Sequence, residues 1–172
     1  MKSYWLILVA LLFTIKGFSQ VSKVYITSEG KFSDSPPKAV SYILVEKVSD
    51  TAYLVKNFDM HDTMLMQGYY KDAQLKIPHG RFYYYNKPKM NVKARGTLLY
   101  VDTNNYVKST GFFVNGSKTG KWLEYVRRGL KDCEYTYEND KLNGLFQEFN
   151  VSTGDISQEG DFFDDKQEGD WD

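Results

Sequence analysis

Gly111-Phe-Phe-Val-Asn-Gly-Ser-Lys-Thr-Gly120, followed by Lys-Trp122, decides how this chain folds. The pattern returns in Tyr135-Thr-Tyr-Glu-Asn-Asp-Lys-Leu-Asn-Gly144, followed by Leu-Phe146. It returns again in Gly160-Asp-Phe-Phe-Asp-Asp-Lys-Gln-Glu-Gly169, followed by Asp-Trp171. Each copy carries an aromatic (Phe113, Tyr137, Phe162), an Asn or Asp in a turn, a glycine, and another aromatic two places later. The closing glycines Gly120, Gly144 and Gly169 are spaced 24 and 25 residues apart. A fixed period of that size means stacked supersecondary units. A looser copy opens at Gly68 and closes at Gly80, with Phe82 two places on.

One unit reads as a β-hairpin. Phe112-Phe113-Val114 has strand propensity. Asn115-Gly116 tolerates the two positive φ angles of a type I′ turn, and Asn139-Asp140 and Asp164-Asp165 fill the same slots with weaker turn chemistry. The glycine in each return strand predicts close approach of a neighbouring group. Trp122 and Tyr125 are three residues apart, as are Phe146 and Phe149, so each pair predicts rings on opposite faces. The expected fold is all-β: an elongated single antiparallel sheet of stacked hairpins with a short β lead-in. Val21–Thr27, Ala39–Val48, Thr51–Phe58 and Thr63–Lys71 read as strands, with a helical start to Ala39–Val48 as an alternative. Ala94–Tyr100 reads as a further, degenerate unit.

The pattern G-x-[FY]-x-[ND]-[GD]-[KS]-x-x-G-x-[WF] resembles the MORN repeat, in the variant form found in many bacterial proteins. The resemblance covers roughly Met66 to Asp172 and departs from the pattern at Tyr135, which replaces the opening glycine. It implies a stack of hairpins. It leaves function open: eukaryotic MORN proteins are associated with membrane lipids and scaffolding, and some bacterial relatives are catalogued as antitoxin components.

The N-terminus reads as a secretory signal over residues 1–19. Lys2 is followed by an apolar run from Trp5 to Phe13, too short to span a bilayer, and Gly17-Phe18-Ser19 supplies a cleavage site. That leaves a β lead-in over 20–62 and repeats over 63–172. The expected location is exported: periplasm, outer envelope or outside the cell. Cys133 is the only cysteine and forms no internal disulfide.

Net charge is zero, but the charges are segregated. Residues 71–131 carry thirteen basic and three acidic side chains, a net of +10. Residues 132–172 carry two basic and thirteen acidic, a net of −11. In a linear stack such blocks stay apart. Two readings stand: a solvated surface, or a basic middle that meets an anionic surface. The candidate binding surface is Tyr83, Tyr84, Lys87, Lys89, Lys93, Arg95, Tyr125, Arg127 and Arg128. Head-to-tail self-association, basic middle to acidic end, is a further reading. Nucleic acid does not fit an exported chain.

No motif points to a cofactor, a metal or a nucleophile. His61 and His79 sit beside turns without ligand spacing. Glycosidase chemistry needs two carboxylates across a bond, and Glu124 with Glu148 is one pair the repeat could bring together. The aromatics read first as packing and second as a platform for sugar or peptide. The function expected is therefore a non-enzymatic interaction or scaffold module of the cell envelope. A carbohydrate-binding or carbohydrate-active protein is the alternative, and an antitoxin-like binder a further one.

Overall fold

The computed structural model describes residues 21–86, 93–94, 97–98 and 105–172, with only the backbone of 93–94, 97–98 and 128. The expected secretory signal lies outside the described residues. In chain order the strands are β1 (Val21–Thr27), β2 (Phe32–Ser33), β3 (Ala39–Ser49), β4 (Ala52–Asp59), β5 (Met64–Tyr70) and β6 (Gly80–Tyr85). Next come β7 (Lys93–Ala94), β8 (Thr97–Leu98), β9 (Val107–Val114), β10 (Ser117–Tyr125) and β11 (Lys131–Glu138). The last are β12 (Lys141–Leu142), β13 (Gly144–Phe149), β14 (Ile156–Phe163) and β15 (Lys166–Glu168). A 3-10 turn, Arg127–Gly129, joins β10 to β11.

Thirteen strands make one open antiparallel sheet, ordered β15-β14-β13-β11-β10-β9-β6-β5-β4-β3-β1-β2, with β12 paired to β11. From β3 to β15 the order in space follows the order in sequence, because each hairpin pairs with the one before it. Ala39–Ser49 is wholly strand, which settles the choice between strand and helix there. The segment around Ala94 is not a further unit of this sheet. β7 and β8 form a separate two-stranded ribbon, and β6 pairs directly with β9.

The three turns are type I′ in φ. Asn115 and Gly116 have φ of 51° and 100°, Asn139 and Asp140 have 49° and 69°, and Asp164 and Asp165 have 51° and 67°. Positive φ at a non-glycine costs energy, and Asn and Asp tolerate it best. A recurring bond offsets that cost. The N–H of the second turn residue donates to the preceding hairpin: Gly116 to the Pro78 carbonyl, Asp140 to Lys118 and Asp165 to Leu142. The Asp140 and Asp165 carboxylates also accept the N–H of Lys118 and of Leu142, each at 2.7 Å.

The glycines do not all serve the purpose expected of them. The closing glycine Gly120 has φ +64° and open space around it, and Gly169 has φ +72° with the same surroundings. Gly80 and Gly144 also have positive φ. At Gly80, Gly120 and Gly169 the backbone conformation, not a close approach, calls for glycine, whereas at Gly144 both do, since a Cβ there would lie 3.2 Å from Thr136 Cγ2. The closest approaches are at the opening glycines. A Cβ on Gly68 would lie 2.3 Å from the Phe82 ring, on Gly111 2.2 Å from Trp122, and on Gly160 2.4 Å from Trp171. In these three units the aromatic two places after the closing glycine folds back onto the opening glycine of its own unit.

Those rings build the core on one face of the sheet. Phe82, Trp122 and Phe146 are buried. The contacts run edge-to-face: Tyr70 to Phe82, Phe82 to Phe113, Phe113 to Trp122 and Trp122 to Tyr137. Further along, Phe146 meets Phe162 at 89° and Phe162 meets Trp171 at 88°. Edge-to-face pairs align the positive ring edge with the negative face and add roughly 0.5–1.5 kcal/mol each beyond burial.

The opposite face carries rings too. Tyr125 lines a hollow there with Tyr83, and Lys131 sits over the Phe149 ring at 4.2 Å. Trp122 and Tyr125 therefore do point apart, as do Phe146 and Phe149. In the lead-in, Tyr42 stacks on Phe58 at 5.3 Å and donates its hydroxyl proton to Asp62 at 2.5 Å. That bond, with burial, pushes the Tyr42 hydroxyl up to about 12.

Candidate functional site

Adjacent residues of a strand point to opposite faces, and this rule divides the expected binding surface. Tyr83 and Tyr125 come together with Arg81, Val107, Thr110 and Gly129 around a hollow of about 400 Å³. We call this the basic face. Tyr84 is on the other side, the ring face, in a hollow of about 250 Å³ with Ser109, Lys118, Trp122, Glu124, Tyr135 and Tyr137. All three tyrosines are half-buried rather than fully exposed.

The basic face is built by the junction of β6, β9 and β10. Tyr83 pairs with Thr110, and Arg81 with Phe112. The Arg81 guanidinium lies 4.4 Å from the Phe112 ring centre, which leaves its charge at the surface over an apolar base. The 3-10 turn, whose Gly129 lines the hollow, carries the exposed Arg127. The backbone of Arg128 lies in the same turn. Lys121 is exposed and ion-paired to Glu134. Lys87, Lys89 and Arg95 lie outside the described residues, and of Lys93 only the backbone in β7 is described.

The ring-face hollow follows from one departure in the repeat. Where other units have the opening glycine, the second has Tyr135, which pairs with Trp122 across β10 and β11. Its ring fills the space that a bare backbone leaves elsewhere. Phe146 sits beside it at 5.2 Å and 48° instead of over a glycine. The Lys118 ammonium rests 4.5 Å from Trp122 and 4.7 Å from Tyr137. Tyr84, Ser109, Glu124, Cys133 and Glu148 lie in one cross-strand row along this face. Glu124 and Glu148 thus flank Cys133, one strand on each side.

Burial sets the titration here. It pushes the Tyr84 hydroxyl up to about 12, and Tyr70 nearby adds to the effect. It raises Tyr137, with Glu124 and Asp165 adding. Tyr135 is raised as well, first by burial and then by its contact with Cys133. The Cys133 thiol is raised by burial, which outweighs the lowering effect of its hydrogen bond with Tyr135, and Asp132, Glu148 and Glu124 add to the rise, so it is held away from the reactive thiolate.

His79 accepts the Asn115 N–H at its Nδ1, 3.3 Å away, and so buttresses a turn. His61 is exposed in the turn before β5. Among the described residues no three His, Cys, Asp or Glu side chains gather as a metal site would require. None of the described helices is long and apolar enough to cross a membrane. Compared with known protein families and with curated proteins, the chain matches none.

Proposed function

We propose that this chain is an exported, non-enzymatic interaction module of the cell envelope, built on MORN-like hairpins. It holds a protein partner or an anionic surface through its basic face. The observation that carries this reading is the linear strand order: the described Arg81, Lys108, Lys118 and Lys121 lie on β6, β9 and β10, while Asp132, Glu134, Glu138, Glu148, Glu159, Asp161 and Glu168 lie on β11 to β15. A globule would fold these blocks together. Among the described residues the two blocks meet at the seam, where Glu134 pairs with Lys121 and with Lys131, the latter at 2.6 Å. Arg81, beside Tyr83 and Tyr125, then offers charge and ring surface together. Such a field acts over a Debye length of about 10 Å at 0.1 M salt.

Co-flotation with vesicles tests the reading. The chain should float with anionic vesicles at low salt and less so with neutral ones. Raising salt, or the double change Arg81→Glu and Arg127→Glu, should release it. Binding through the apolar leader would persist in that variant and so be told apart. Equal flotation of both proteins on both vesicles would remove the basic face from the account.

A further inference from the structure

We infer that the hollow on the ring face binds the pyranose ring of a neutral carbohydrate. This site is separate from the basic face and stands without it.

The walls come first. Tyr84, Trp122, Tyr135 and Tyr137 surround the hollow. Trp122 is only 5% exposed, with one side against Gly111 and Lys118 over its ring. The stacking surfaces offered to a ligand are therefore those of the half-buried tyrosines. Tyr84 lies 6.2 Å from Trp122, and Tyr137 and Tyr135 are tilted 47° to each other. Such rings accept the C–H-rich faces of a saturated ring. At about 250 Å³ the space suits one ring rather than a drug-sized ligand, whose sites run from about 300 to 1,000 Å³.

The polar groups decide the class. Glu124 and Ser109 are register partners and line the hollow together. Among the described residues the Glu124 carboxylate takes part in no hydrogen bond or ion pair, although it is half-buried. It is an acceptor open to the hollow. Lys118 is a donor on the far wall. The hollow thus holds one charge of each sign. An anionic ligand would face Glu124, and a cationic one would have to displace Lys118 from its two rings. A neutral ligand with several hydroxyls meets both: its hydroxyls donate to Glu124 and accept from Lys118. A sugar ring combines those hydroxyls with an apolar C–H face, which is the combination these walls present.

The full chain should be titrated with glucose, galactose and N-acetylglucosamine by saturation-transfer NMR, with choline and acetate as charged controls. At least one sugar should bind with Kd of about 1 mM, and the charged controls should not. Glu124→Gln should weaken that binding at least about tenfold, the cost of losing a charged acceptor. Tyr137→Ala should weaken it too, and Tyr125→Ala, on the opposite face, should leave it unchanged. Circular dichroism checks that each variant is folded. Tyr135→Gly restores the repeat pattern, removes a wall, and should abolish binding in a folded chain. No binding by any sugar, binding by choline alone, or sugar binding indifferent to Glu124→Gln would each overturn the assignment.

Discussion

Two neighbouring hairpins, Gly111–Tyr125 and Tyr135–Phe149, share a turn geometry, a closing glycine and an aromatic two places beyond it. They differ at the opening position. In the first, Gly111 leaves its backbone bare and the Trp122 indole packs onto it. In the second, Tyr135 fills that space and the smaller Phe146 packs alongside. Both hairpins form, so the opening glycine is not a requirement of the hairpin. It is a requirement of the seat for a ring. The same exchange that removes the seat raises a wall of the ring-face hollow. A lapse in the repeat is thus where a surface site arises.

The largest expected effects test that seat. Trp122→Ala should cost about 3–5 kcal/mol, as for other buried aromatics. Gly111→Ala should cost about 3 kcal/mol, because a Cβ 2.2 Å from the indole forces the ring or the strand to move. The double variant should cost clearly less than the sum, since the added methyl then meets no ring. Tyr135→Ala, at a half-buried site, should cost less than Trp122→Ala. Urea unfolding of the four variants measures all of this. Strict additivity, or a Tyr135→Ala cost matching Trp122→Ala, would break the contrast between the hairpins.

A second prediction concerns what joins the two units. Glu134 is 5% exposed, lies on β11 next to Tyr135, and bonds Lys121 of the first hairpin and Lys131 between the two. Burial alone would raise its carboxyl, but the hydrogen bonds from Lys121 and Lys131 outweigh that and hold it below the ordinary value. A depressed folded value stabilises the protein above the unfolded value, about 4.3, and that gain disappears as pH falls through the folded value. Glu134→Gln should therefore cost about 1.5–3 kcal/mol at pH 7, with the difference closing in acid below about pH 4. Lys121 is 68% exposed, so salt should trim its share. A pH-independent difference would mean that rings alone hold the seam.

Much of this architecture was legible from local chemistry. Asn115-Gly116 and its two equivalents mark type I′ turns wherever they occur, and three in register imply the stack. The opposed rings of Trp122 and Tyr125 follow from strand alternation. The same rule separates Tyr83 and Tyr84 onto two faces, although both belong to the single binding surface expected from sequence. The seat beneath Trp122 was harder to see. It depends on which ring folds over which glycine, and a register shift between Thr119 and Leu123 decides that. The hollow was harder still, because Tyr135 reads in sequence only as a missing glycine. Lys118 and Glu124 converge there through cross-strand packing that no local spacing encodes.

The smallest expected effect lies in the turns, where the two hairpins differ by Gly116 against Asp140. Each donates its N–H to the preceding unit, but only Asp140 adds a carboxylate bond, to the Lys118 N–H at 2.7 Å. Asp140→Gly relieves a φ of 69° while losing that bond. The first term favours the variant by about 0.5–1 kcal/mol, and the second opposes it by about 1–2 kcal/mol. The net cost should stay near or below about 1 kcal/mol. Asp140→Ala keeps the strained φ and loses the bond, so it should cost more than Asp140→Gly. Asp140→Asn retains an acceptor and should fall nearest to the parent. Thermal midpoints ranked Asn, Gly, Ala would show that the aspartate serves the joint between units. The ranking Gly above Asn would show that it serves only the bend, leaving the two turns equivalent after all.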